Sequence, residues 1–487
     1  MSAQSIAWTA FGVYLVATIA LALRGMKKTT GMASFALGNR DMGPLLVGVT
    51  LAAAIASTAT FVINPGFVWK DGLSALMHFG VAGTLGVITG LVILSRGFRR
   101  LGEEHQALTL PHWIGSRYQS KGMRTYFALL NLALAIAFVV LIVKGSALVM
   151  QATLDLSYTV SVVVVVGFVF SYILMGGTYA HAYTNALQGS IMLVVALALF
   201  GSGLHLFADG GVSGFFASLA AQDPSLVEPV SSDSVLFGSG LEVFVCGFVV
   251  SFGLVCQPHI LMKSLYLRSE NDLNRYLVIA ALVGVGFALV LCVGLYARVA
   301  YPDLTVAQDA IVPVYIQRAF SPAAGALISV ALLAAGMSTM DGILVSASTI
   351  AGNDLVLGVM GHRIAEEQQP IVALRASRII LVGMGVVSFG LALDPPQLVG
   401  LFAQIGIYGL VAASVAPVTF GVFVRDVPTR WAFAAAIVGP VAHFIGVFGF
   451  GIANPAVPAT AGVLLSTLTL ALGISWTRVR APNPALV

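Results

Sequence analysis

Ala56-Ser57-Thr58-Ala59-Thr60, followed by Asn64-Pro65-Gly66, lies inside an apolar run that extends from about residue 43 to 67. Crossing a bilayer takes about 20 residues, and this run is long enough. Hydroxyls beside a Pro-Gly pair at that depth point to an interrupted helix. The amides and carbonyls freed by the break must then bind something other than lipid. A second such place comes five apolar runs later, where the seventh run ends in Cys256-Gln257-Pro258-His259. Five is odd, so a copy displaced by five spans enters the membrane from the opposite side. Two interrupted helices in an inverted repeat are the layout of a secondary transporter with binding at the midplane. Kinks that bind nothing leave the same trace, and no residue-level match between the two halves decides between the readings.

The rest of the chain fits a membrane setting. Of 487 residues, 9% are charged and 58% hydrophobic, with 24 Lys+Arg, 20 Asp+Glu and a net charge of +4. A soluble domain carries roughly 25% charge. The balance therefore excludes a water-soluble globule, a disordered chain and a nucleic-acid binder with clustered bases. The three cysteines, Cys246, Cys256 and Cys292, fall in apolar runs without a C-x-x-C pair, so they are expected as buried small hydrophobes. The eight histidines show no metal-binding spacing.

Apolar runs at 6–23, 43–67, 73–95, 124–150, 159–178, 185–207, 240–262, 276–298, 323–350, 376–393, 398–424, 431–450 and 458–476 give thirteen expected spans in one integral-membrane unit covering 1–487. An odd count puts the termini on opposite sides. With the N-terminus outside and the C-terminus inside, twenty of the 24 basic residues fall on inner segments, a strong positive-inside bias. Only Lys70, Lys144, Arg298 and Arg318 fall elsewhere. The expected outer loop 208–239 carries Asp209, Asp223, Glu228 and Asp233 and no base. The first run follows no basic residue and precedes a basic cluster, so it reads as a retained anchor rather than a signal peptide. The short tail after Trp476 leaves no room for an appended soluble domain.

The ninth run holds Ala335-Gly336-Met337-Ser338-Thr339-Met340-Asp341, then Ser346, Ser348 and Thr349. Neutral hydroxyls beside a freed carbonyl supply the hard oxygens that Na⁺ prefers, without binding too tightly for release. The same hydroxyls can instead bond the carbonyl one turn back or a neighbouring helix. Lys144, in Ile142-Val143-Lys144-Gly145-Ser146, costs about 2.5–3.5 kcal/mol near a bilayer centre. It either snorkels or pairs with a helix-end acid, or it anchors a substrate carboxylate.

Several stretches in order resemble the sodium:solute symporter family, with its LeuT-type architecture. Met175-Gly176-Gly177-Thr178-Tyr179 through Asn185-Ala186-Leu187-Gln188 is similar to the family signature. Ala36-Leu37-Gly38-Asn39-Arg40 with Gly43-Pro44 resembles the entry to the first core helix, and Pro65-Gly66 with Gly72-Leu73 its exit. Thr109-Leu110-Pro111 with Arg117-Tyr118, Gln257-Pro258-His259, and Met337-Ser338-Thr339 through Asn353-Asp354-Leu355 also match. The likeness covers roughly residues 34 to 424. Tyr301-Pro302-Asp303-Leu304-Thr305-Val306 looks closest to the pantothenate and proline carriers.

The resemblance implies two inverted repeats, about 43–207 and 240–424, with the first run and the spans 431–450 and 458–476 outside them. It implies a Na⁺ site made by the carbonyls of Ala53, Ala56 and Ala335 and the hydroxyls of Ser338 and Thr339. Two departures stand out: Ile55 and Asn185 occupy positions where relatives carry Asp. Both remove a carboxylate, so one Na⁺ per solute is expected. Substrate contacts are expected from Ser57, Thr58, Thr60, Asn64, Lys144, Gln257 and His259, His259 having a structural reading as well. Asp341 is expected to pair with a base or line the inner exit, and Gln404 and Tyr408 to form an outer gate by position. The expected activity is alternating-access symport of a small organic solute in a cell membrane, with Na⁺ as coupling ion, no organic cofactor and no obligatory protein partner. Pantothenate, a short monocarboxylate and a proline-like amino acid all fit. Proton coupling, a channel and a transporter-like sensor are the rivals. A membrane enzyme lacks any convergent catalytic set here.

Overall fold

The computed structural model describes residues 2–395 and 399–480. Among the described residues there is no strand, only an isolated bridge between Met42 and Leu267. The main helices are α1 (Ala3–Met26), α2 (Pro44–Ile55), α3 (Asn64–Leu76), α4 (Gly83–Glu104), α5 (Lys121–Leu154), α6 (Tyr158–Ser202), α7 (Gly247–Leu254), α8 (Pro258–Leu261), α9 (Leu273–Ala288), α10 (Cys292–Ala300), α11 (Pro322–Ile350), α12 (Gln369–Leu393), α13 (Val399–Phe423), α14 (Thr429–Phe444) and α15 (Ala456–Arg480).

Among the described residues, ten helical segments are long and apolar enough to cross a membrane, or eleven when one bent pair counts as a span. This differs from the thirteen expected runs because the helices break and join at other places. α2 has only 12 residues and stops where Ala56 turns extended, at φ −81° and ψ 97°. Ser57 Oγ accepts from the Ala59 amide at 3.0 Å and starts the second half, a wide turn over Ala59–Ile63. From Ala59 the path continues helically to Glu104, breaking its geometry at Gly72, at φ +61° and ψ −135°. α6 likewise joins the expected runs 159–178 and 185–207 through Gly177, at φ +52° and ψ −139°. Only glycine adopts such angles freely. A Cβ at Gly177 would also meet the Phe35 carbonyl at 2.8 Å.

α7 and α8 form the bent pair, with segments Leu241–Leu254 and Pro258–Tyr266 meeting at 64°. Gln257 is extended, and Pro258 opens α8 where an amide proton would have no helical partner. Both expected interruptions are therefore breaks in the chain. α11 runs through the centre, buried without a gap from Val330 to Val345, and packs on α1, α2, α5 and α6. α14 and α15 pack together against α13.

The two broken helices meet again on the face that carries most bases. The Met42 amide donates to the Tyr266 carbonyl at 3.1 Å, and the Arg268 amide to the Met42 carbonyl at 3.1 Å. Buried Arg99 donates to the carbonyls of Ser264 at 2.6 Å and Leu267 at 3.0 Å. Asp354 accepts from Thr109 Oγ1 at 2.5 Å and pairs with Arg124 at 2.7 Å. Three of the four bases that fell outside the inner segments have partners too. Arg298 lies over Trp69, Arg318 over Tyr301, and Lys144 pairs with Asp309 at 3.7 Å.

Candidate ion and solute site

The break in α2 lies beside the middle of α11, and their polar atoms converge. Ser338 Oγ is 2.8 Å from the Ala53 carbonyl and 3.0 Å from the Ala335 carbonyl. Thr339 Oγ1 is 3.4 Å from the same Ala53 oxygen. Ala53, Ala335, Ser338 and Thr339 are fully buried, and Ala56 nearly so. Asn185 from α6 donates to the Ser338 carbonyl at 2.9 Å, which fixes that turn of α11. Neutral oxygens from two helices, away from solvent, suit a weakly held monovalent cation.

A cavity of about 220 Å³ opens on the other side of the break. Ala56, Ser57, Thr60 and Asn64 line it, with Gln404 and Tyr408 from α13. His78, Phe79, Thr84 and Ser251 line it as well, and the sequence had not singled them out. They lie at ordinary-looking helical positions with no Pro-Gly signal beside them. The described lining holds no Lys, Arg, Asp or Glu.

The other expected substrate residues lie elsewhere. Thr58 is wedged between helices: a Cβ on Gly145 or Gly336 would collide with its side chain. Lys144 stands in its ion pair with Asp309, both side chains 14% exposed, and is not part of the cavity lining. Gln257 and His259 line a smaller cavity with Asn131 and Ser346.

Asp341 is fully buried one turn beyond the hydroxyls. It accepts from the Tyr172 hydroxyl and from Thr184 Oγ1, the latter at 3.1 Å. Lys263 was counted among the inner bases, yet it is fully buried, with Nζ 2.8 Å from His181 Nε2. The polar residues of the Met175–Gln188 stretch therefore face inward as a set. Thr178 Oγ1 donates to the Ala36 carbonyl at 2.7 Å, and Gln188 to the Tyr14 hydroxyl at 2.8 Å.

Broken helices around a buried oxygen cluster and an adjoining cavity are the arrangement of a secondary transporter of LeuT-like fold, a multi-pass membrane protein. The solved structure of a Na⁺-coupled sialic acid symporter, substrate-bound and outward-open, superposes with a TM-score of 0.81 at 18% identity, over 97% of each chain. The chain belongs to the sodium:solute symporter family, whose model matches residues 35–439. Its relatives include the sodium/pantothenate symporter of Escherichia coli (strain K12), 28% identical over 94% of each chain. The monocarboxylic acid transporter of Corynebacterium glutamicum is 21% identical, over 98% of this chain and 88% of that one.

Proposed function

We propose that the protein carries a small organic carboxylate, of the pantothenate or short monocarboxylate kind, inward with one Na⁺ by alternating access. The observation that carries this reading is the meeting of the Ser338 and Thr339 hydroxyls with the Ala53 carbonyl across the α2 break. Na⁺ held there, with Ala56 and Ala335 completing its oxygens, ties α2 to α11. Ala56 also lines the solute cavity, so ion binding orders the wall that the solute touches. The coupling is reciprocal: each ligand tightens the other.

One Na⁺ is supported by charge. Ile55 and Asn185 carry none, and the buried Asp341 is engaged by the Tyr172 and Thr184 hydroxyls rather than offered to a second Na⁺. The basic face is taken as cytoplasmic, with the N-terminus outside, the C-terminus inside, and the helices arranged in inverted repeats near 43–207 and 240–424. Ser57, Thr60 and Asn64 are the solute contacts, with Gln404 and Tyr408 at the cavity's α13 wall.

The test is uptake and charge movement in proteoliposomes under a Na⁺ gradient, with pantothenate, propionate and proline offered separately. Saturable carboxylate uptake that needs Na⁺ and moves no net charge supports the reading, because one Na⁺ balances one carboxylate. Net inward positive charge shows a second cation. Uptake driven equally by a proton gradient in K⁺ rejects sodium coupling.

A further inference from the structure

Two helical turns that line the main cavity are wide turns, Ala59–Ile63 and Met77–Ala82, and a third wide turn, Leu241–Cys246, packs against the second. Wide turns of this kind free backbone groups from the regular ladder and are frequent at functional sites. Two of them meet at His78. Its Nδ1 lies 2.9 Å from the Glu242 carbonyl. A carbonyl only accepts, so Nδ1 carries the proton, and the neutral ring offers Nε2 as an acceptor. The ring is clasped by Phe79 and Phe237, with centroids at 4.8 and 5.1 Å. Gly247 permits the approach: a Cβ there would stand 3.0 Å from Nδ1 and 3.2 Å from the Ala82 Cβ. His78 is only 4% exposed, and it lines the solute cavity.

We propose that His78 is a specificity-determining residue whose Nε2 accepts a hydrogen bond from a hydroxyl or amide N–H of the solute, so that the carried molecule is a monocarboxylate bearing such a donor on an otherwise apolar body. This rests on the carboxylate symport proposed above. The rest of the wall agrees with the division of labour. Ser57, Thr60 and Asn64 offer donors at the helix break, where the carboxylate would sit. Val87, Leu91 and Leu254 offer only apolar surface. A rigid buried acceptor rejects a solute without a donor, because Nε2 would then be desolvated and unpaired.

The experiment uses the purified full-length chain in saturating Na⁺, titrated with pantothenate, propionate and proline while thermal stability is followed. The wild type is expected to half-saturate with pantothenate at a concentration at least tenfold below that for propionate. His78→Phe should erase that preference while leaving stabilisation by Na⁺ alone unchanged, which shows that the variant folds. His78→Gln, with a side-chain carbonyl as acceptor, should restore part of it. The proposal is overturned if His78→Phe keeps the wild-type half-saturation for pantothenate, or weakens both acids equally. Stabilisation of the wild type by proline alone, a zwitterion with no net charge, would overturn the pantothenate or short-monocarboxylate reading itself, an outcome distinct from the other two.

Discussion

Ser338 and Thr339 differ in how closely they approach the Ala53 carbonyl, 2.8 Å against 3.4 Å, and the difference ranks their substitutions. Removing a ligand oxygen from a buried cation site leaves the ion short of hard donors. Ser338→Ala is expected to raise the Na⁺ concentration for half-maximal uptake by tenfold or more. Thr339→Ala should raise it by less, and Thr339→Ser should stay near wild type. Na⁺ titration of initial uptake rates checks the order, and an equal effect of both Ala variants would place the ion away from Ala53. Of this site, the hydroxyl pair was legible in the sequence because neutral oxygens at membrane depth are scarce. Lys144 was legible as an exceptional residue but not in its role. Its partner Asp309 is 165 positions away, and no local pattern joins them. His78 and Lys263 escaped for a related reason: one looks like a helical residue among apolar neighbours, the other like any inner-face base.

The helices were legible by composition but not by their joints. An apolar run records residues that avoid water, whereas a break is set by what packs against it. Gly145 and Gly336 show this at the contact of α5 and α11, where both accommodate the Thr58 side chain. A methyl at Gly336 would meet Thr58 Oγ1 at 2.7 Å and also strike Ser146 Oγ. Overpacking of this kind costs about 1–3 kcal/mol. Gly336→Ala should therefore lower the melting temperature and push α2 away from α11, weakening Na⁺ binding in the same variant. The companion variant Gly336→Ala with Ser146→Ala removes the Ser146 hydroxyl, the atom nearest to the added methyl, and should recover part of both. Measuring stability with and without Na⁺ separates the two effects. Loss of stability with unchanged Na⁺ affinity would show that the packing of α5 on α11 and the ion site are independent.

Across the whole molecule, polar ties close both faces, and alternating access requires them to open in turn. On the basic face, Asp354 is fully buried and held by Arg124 and Thr109, while Arg99 clamps the carbonyls that follow α8. On the opposite face the Lys144–Asp309 pair joins α5 to the Gln308–Ala310 turn. Breaking a buried pair from one side leaves an uncompensated charge and costs about 3–5 kcal/mol. The Lys144–Asp309 tie, 3.7 Å apart against 2.7 Å for Arg124–Asp354, should cost less. Arg124→Ala is therefore expected to shift the population toward a state open on the basic face, with faster amide exchange at residues 264–268. Asp309→Asn should do the reverse, with faster exchange near residue 144 and slower exchange at 264–268. Acid acts in the opposite sense to the second variant. Burial lifts the Asp309 carboxyl above the usual carboxylate range, with Lys144 pulling the other way. As pH falls through that raised value, Asp309 takes a proton and its tie to Lys144 is lost. The tie is complete above it. Even so, a closed face that holds this proton more tightly than a solvent-exposed Asp is favoured by acid, so exchange near residue 144 should fall on acidification in the wild type and show no such step in Asp309→Asn. A pH step that survives in the variant would mean that another acid controls this face.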